Sequence, residues 1–248
     1  GTLIDWESGI WDALQPLLHR NACIEVTRDI GLEAFAAVES SQQAETPDMV
    51  YDQLLTRVHA CLAKRFGLAT DDEMDQAFGA SVPHWPAFPD TADALRLLKS
   101  HFKLAIISNV NRDGFAASNR KLGVTFDAIY TAQDIGSYKP NPDNFTHMLR
   151  ALSRDHGIAP DSILHTAQSL FHDLVPAKIT GLDCAWIDRQ QLYDFSGRGR
   201  KPQIQLAKAL NIKDYAQPAG GCCFLTDPNY TAKLKDMWKT RGEKSYDL

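Results

Sequence analysis

The sequence predicts an α/β fold: a doubly wound parallel sheet with an α-helical cap inserted near its start. Three observations point there. Beyond Asp90, short apolar, β-rich runs alternate with amphipathic helical stretches, and strands of that kind belong to a parallel sheet covered by helices on both faces. From Trp6 to about Phe78 the apolar residues recur at helical spacing, without a convincing strand. Between the two regions SVPHWPAFPD holds three prolines, Pro83, Pro86 and Pro89. Proline at that density ends helices and stiffens a connection, so the segment reads as a hinge.

Ile10, Leu14, Leu17 and Leu18 mark the first helix. Val50, Leu54, Leu55, Val58, Leu62 and Phe66 mark another, with Pro47 at its start, where a missing N–H costs little, and Gly67 beyond its end as a cap. Four or so helices fill this region. After the hinge, Lys103–Asn109 reads as a strand followed by a helix to about Leu122. Ala128–Gln133 is the next strand, with a helix from about Pro142 to Arg154. Ile163–Gln168 leads into a helix ending near Thr180, and Asp183–Asp188 is the last strand. Further helices are expected near Gln203–Leu210 and Tyr230–Lys239, after the polar, basic loop FSGRGRKP. The expected division is a core of 1–10 plus 89–215, a cap of 11–88 and a C-terminal extension of 216–248.

Composition narrows the function classes. The 248 residues, 44% hydrophobic and 23% charged, are ordinary for a globular chain, long enough for one large domain or a core with a smaller partner. A net charge of −5 without a Lys/Arg block argues against nucleic acid and anionic membranes as partners. No apolar run reaches the roughly 18–20 residues that span a bilayer, and the acidic, amphipathic N-terminus is unlike a secretory signal. Cys23, Cys61, Cys184, Cys222 and Cys223 are odd in number and form no CxxC pair. That usage fits reduced thiols and a cytoplasmic location. The signatures of dinucleotide enzymes, P-loop NTPases, zincins and α/β-hydrolases are missing.

Ligands of such sheets bind beyond the carboxyl ends of the strands. Ser108 and Asn109 end the first strand, Ser137-Tyr138-Lys139-Pro140 follows the second, and Gln168 and Ser169 end the third, with Asp173 one turn on. Each has an ordinary alternative. Ser108 and Asn109 could begin a turn, Lys139 could be a solvated surface lysine, and Asp173 could favour a helix N-terminus. Taken together, they bring a hydroxyl, an amide, an ammonium and a carboxylate to one edge of the sheet. His165 and His172 have no ligand set at metal spacing and read as structural. Trp186 reads as core, and Arg198, Arg200 and Lys201 as a solvated loop.

The ordered set GTLIDW, IISN, SYKPNPDNF and HTAQSLFHDLVPAKITGL resembles the haloacid dehalogenase superfamily, within it the type II 2-haloacid dehalogenase-like branch, over Gly1 to about Arg189. The resemblance implies a Rossmannoid core with a helical cap between its first and second motifs. It implies a hydrolase in which an aspartate attacks carbon or phosphorus to form an ester that water then hydrolyses. Position by position, Thr2 falls in the first motif, Ser108 and Asn109 in the second, Lys139 in the third and Asp173 in the fourth. The implied catalytic set is Lys139, Asp173 and Ser108, with Asp173 acting on water and Lys139 offsetting the charge of two close carboxylates. Thr2, Asn109, Gln168 and Ser169 would hold the substrate. The family's nucleophilic aspartate lies three residues before the glycine of GTL, so about ten or more apolar residues carrying it on a central strand are expected upstream of Gly1.

The chain departs from the pattern in places. Gln168 stands where phosphatase members carry an acid that helps bind Mg²⁺, so no cofactor is expected, and Mg²⁺ belongs only to the alternative of a phosphatase with an altered metal site. A catalytically inactive binding protein is the other alternative. Leu170 and Phe145 stand where dehalogenases carry asparagine and tyrosine. Where their cap holds an arginine, this chain offers Glu39, Gln42 and Gln43. The expected partner is a small organic substrate, with a homodimer also admitted.

Overall fold

Capping chemistry and apolar spacing set the first half of the chain. The structure, a computed structural model, describes residues 1–23 and 25–189. Helix α1 (Trp6–Arg20) starts where the Asp5 side chain accepts from the Ser8 N–H, and α2 (Arg28–Glu45) starts where Thr27 does the same for Ile30. Helix α3 (Tyr51–Phe66) ends on Gly67, whose φ of 67° lies in the left-handed region that glycine enters without strain. Pro47 lies outside α3, which begins four residues later behind Val50. Helix α4 (Asp72–Gly79) starts at the Asp71 cap. These helices pack on one another around Ile10, Leu14, Phe35, Leu54, Val58, Leu62 and Phe78. Inside that apolar cluster His59 Nδ1 meets Asp75 Oδ1 at 2.6 Å, which satisfies both buried groups.

The proline-rich segment does more than connect. After a single 3₁₀ turn at Val82–His84, Ala87 forms an antiparallel bridge with Ile4. The Asp5 N–H donates to Pro86 O, and the Phe88 N–H donates to Leu3 O. The two linkers between cap and core therefore run side by side. Arg189, just past the last strand, fastens both: Nε donates to Thr2 O at 3.0 Å, Nη1 donates to both Asp90 oxygens at 2.7 and 2.8 Å, and the guanidinium lies 4.3 Å over the Phe88 ring. Gly9 is required at this junction, because a Cβ there would lie 2.3 Å from Trp85 Cγ.

Beyond α5 (Thr91–Lys99) the α/β alternation appears as expected. Strand β1 (Ala105–Ser108) leads to α6 (Arg112–Leu122), and β2 (Ala128–Thr131) leads to α7 (Ala132–Ile135) and α8 (Pro142–His156). Strand β3 (Leu164–Ala167) leads through a π-turn at Leu170–Leu174 into α9 (Val175–Ile179), and β4 (Asp183–Trp186) follows. Strands β1 and β2 pair in parallel from Ala105↔Ala128 to Ser108↔Thr131; β3 and β4 pair in parallel from Leu164↔Asp183 to Ala167↔Trp186. This is an α/β core of parallel sheets with a helical cap. Among the described residues the two strand pairs are not joined to each other. The second edges of β1 and β3 instead wall a cavity of about 860 Å³, also lined by Leu122, Phe126, Met148 and Leu152. Strands of a covered parallel sheet are normally buried, yet Ala105 is exposed and Leu164 is 63% exposed.

Cys23, Cys61 and Cys184 are free thiols. No helix of the described residues is long and apolar enough to cross a membrane. The helices expected near 203–210 and 230–239, the FSGRGRKP loop, Cys222 and Cys223, and the 216–248 extension lie outside the described residues.

Candidate active site

The loops after β1, β2 and β3 converge on the rim of that cavity. Lys139 follows the short α7 and is joined to Pro140 by a cis peptide bond. Only 8% of its surface is exposed, so the solvated-lysine alternative fails. Its Nζ donates to Ile107 O at 3.0 Å and to Asp173 Oδ1 at 2.6 Å. Asp173 is equally buried and sits within the π-turn, not at the start of a regular helix. Burial alone would raise the Asp173 pKa. The Lys139 ammonium, with help from His165, outweighs it and holds the carboxyl well below the usual carboxylate range. A pair of this kind is held by its geometry: removing one partner typically costs about 3–5 kcal/mol because the other charge is stranded.

Asn109 positions the lysine. Its Oδ1 accepts the Lys139 N–H at 2.8 Å and its Nδ2 donates to Lys139 O at 3.1 Å. Both ends of this 4%-exposed amide are thus committed to the lysine backbone. Ser108 lines the cavity, with its Oγ 3.4 Å from the Val110 N–H. Thr2 Oγ1 accepts the Gln168 N–H at 2.9 Å, which ties the start of the chain to the end of β3. The Gln168 side chain packs on Gly1, where a Cβ would lie 2.8 Å from Oε1. Trp186 Nε1 donates to Gln168 O at 2.9 Å, so this tryptophan buttresses the loop as well as packing. Ser169 caps the π-turn by accepting the His172 N–H at 3.0 Å. Thr2, Ser108, Asn109, Lys139, Gln168, Ser169 and Asp173 all line the one cavity.

Two residues read as structural from sequence belong to this assembly. His165 Nε2 lies 3.3 Å from Asp173 Oδ1, and His172 Nδ1 lies 3.2 Å from Ser169 Oγ. Burial and then the Lys139 charge lower the His172 pKa to about 4, which keeps this imidazole neutral. The sequence signal was present, since His165 shares a strand face with Ala167 and His172 adjoins Asp173.

On the cap side, Glu39 lines the same cavity from α2 and accepts the Tyr51 hydroxyl at 2.7 Å. Burial, then the Glu39 charge, raises the Tyr51 pKa well above its ordinary value. Gln42 is taken up by Thr46 at 3.0 Å, and Gln43 Nε2 is buried without a hydrogen-bond partner among the described residues. Phe145 is fully buried against His165, and Leu170 is buried beside Ala167 and Leu174.

No group of three acidic, histidine or cysteine side chains suited to a metal exists among the described residues. From the described residues at these loop ends a Mg²⁺ ion would meet the Asp173 carboxylate, already held by an ammonium, and a neutral amide at Gln168, whereas hard cations prefer several oxygen anions. That donor set does not fit the ion.

Comparison with known proteins bears on the family and the fold. A family model described as haloacid dehalogenase-like hydrolase matches residues 1–165. (S)-2-haloacid dehalogenases of Pseudomonas putida and Pseudomonas fluorescens are each 28% identical over 127 residues, covering 50% of this chain and 54% of theirs. The chain thus spans about half the length of the curated relatives it matches. The crystal structure of an L-2-haloacid dehalogenase is 28% identical with a TM-score of 0.62, covering 76% of this chain and 81% of the other. The Xanthobacter autotrophicus L-2-haloacid dehalogenase with chloropropionic acid covalently bound is 19% identical, with a TM-score of 0.63 and 84% of each chain covered, and shares the fold.

Proposed function

Because the chain belongs to the haloacid dehalogenase-like hydrolases, we propose that it displaces a leaving group from a small organic molecule through an aspartyl ester on the protein. The observation that carries this reading is the buried Lys139–Asp173 pair opening on a cavity at the carboxyl ends of β1 and β3.

The attacking carboxylate belongs to an aspartate three residues before Gly1, at the end of an apolar strand seated between β1 and β3. The parallel edges of β1 and β3 that no described strand pairs, and the cavity between them, support this: a strand of ordinary length laid there would hydrogen-bond both edges at once. In the first step a carboxylate oxygen bonds to the substrate carbon, and the leaving group departs with its electron pair. Lys139 offsets the charge of two neighbouring carboxylates during this step. In the second step water attacks the ester carbonyl, Asp173 takes its proton, and the acyl–oxygen bond breaks to restore the aspartate and release an alcohol. Ser108, Thr2 and the Gln168–Ser169 loop hold the substrate's oxygens. The cap closes the cavity against other water, and the free thiols suit a reducing, cytoplasmic setting.

Asp173→Asn in the protein that carries the preceding residues tests the reading. With (S)-2-chloropropionate as probe, the ester should persist as a mass increase on the upstream aspartate. Wild-type turnover with no adduct in this variant overturns it.

A further inference from the structure

The buried imidazole of His165 has no part in the steps above. It stands on β3 with 9% of its surface exposed, and its ring is held edge-on by Phe145, with centroids 5.1 Å apart at 79°. Its Nε2 reaches Asp173 Oδ1 at 3.3 Å, and the Lys139 ammonium reaches the same oxygen at 2.6 Å. An ionised carboxylate only accepts hydrogen bonds, so Nε2 carries the proton and donates. Two donors from different elements therefore converge on Oδ1. Among the described residues the hydrogen bonds to this carboxylate all fall on Oδ1, and none falls on Oδ2.

We propose that His165 is a positioning residue for the second step: it anchors Oδ1 so that Oδ2 faces the water that hydrolyses the ester. This rests on the reading in the preceding subsection. Lysine is a point charge on a flexible stem, and its ammonium must also serve the attacking carboxylate, so by itself it leaves the Asp173 carboxylate free to turn. The imidazole supplies a second anchor, fixed in place by packing. Misplacing a reacting group by about 1 Å can cost on the order of a hundredfold in rate. The Lys139–Asp173 bond that serves ester formation stays in place without the imidazole, whereas proton transfer from water needs Asp173 aimed, so the loss falls chiefly on ester hydrolysis.

The test compares His165→Leu, His165→Asn and His165→Gln with wild type in the protein that carries the preceding residues. The probe is (S)-2-chloropropionate, and the readouts are the first-turnover chloride burst and the fraction of protein held as ester by intact mass. The glutamine amide reaches Asp173 and the shorter asparagine does not. The burst should survive in all three variants, while ester hydrolysis slows by about tenfold or more in the leucine and asparagine variants. Ester then accumulates in those two and not in His165→Gln. If His165→Leu does not fold, the polar Asn and Gln variants decide the question between them. Equal slowing of burst and hydrolysis, ester-free turnover at wild-type rate, or ester accumulation in His165→Gln overturns the proposal. Asp173→Asn run alongside separates the two failures. Ester there but not in His165→Asn defeats the positioning role alone, and no ester in any variant defeats the proposed reaction and this role with it.

Discussion

At the scale of single residues, the site balances two buried charges, Lys139 and Asp173, against two imidazoles that sit beside them. His172 has a pH signature. Its pKa is about 4 in the folded protein against 6.5 for a free histidine, because burial and the Lys139 charge disfavour the imidazolium. Above pH 6.5 the group is neutral in both states and its contribution to stability is complete. Below that, the unfolded chain takes up the proton first, so stability falls as pH drops from 6.5 toward 4, by up to about 3 kcal/mol. Asp173, whose pKa is depressed, adds its own loss only below the ordinary carboxylate value of 3.8. Urea unfolding at stepped pH should therefore show a slope between pH 6.5 and 4 that His172→Gln flattens; an identical slope in the variant refutes the assignment. The Lys139 and Asp173 placements were legible from strand-end logic, because polar residues after apolar strands have few other reasons to converge. The histidines were less so, because histidine in sequence points to a metal only at ligand spacing, whereas these two rings lie against a carboxylate and a hydroxyl.

At the scale of elements, the four strands were legible because short apolar, β-rich runs alternate with amphipathic helical stretches. Their ends were less so. The second strand stops at Thr131, not Gln133, because Thr131 and Asp134 form a reciprocal capping box that starts α7. The segment after β3 is a π-turn and a short helix, not one regular helix, because Ser169 captures the His172 N–H and Pro176 has no N–H to donate. The open edges of β1 and β3 make the sharpest claim at this scale. Hydrogen exchange should be slower by at least about tenfold at amides in 105–108 and 164–167 in a protein that carries the proposed upstream strand than in the chain that begins at Gly1. Unchanged exchange on both strands would mean that no strand sits between them.

At the scale of the whole molecule, the cap and the core meet through the paired linkers at Ile4 and Ala87, clasped by Arg189. This junction sets α2, with Glu39, over the same cavity that the core lines with Lys139 and Asp173. The sequence displayed the cap as a run of helices and the hinge as a run of prolines. It did not display the clasp, because Arg189 contacts residues about a hundred or more positions away in the chain. The reaction proposed for this cavity predicts where oxygen atoms travel. A single turnover with excess protein, in water labelled with heavy oxygen, should leave the label in the carboxylate of the upstream aspartate and none in the alcohol product. Label in the product, with an unlabelled aspartate, would mean that water attacks the substrate directly and that no ester forms.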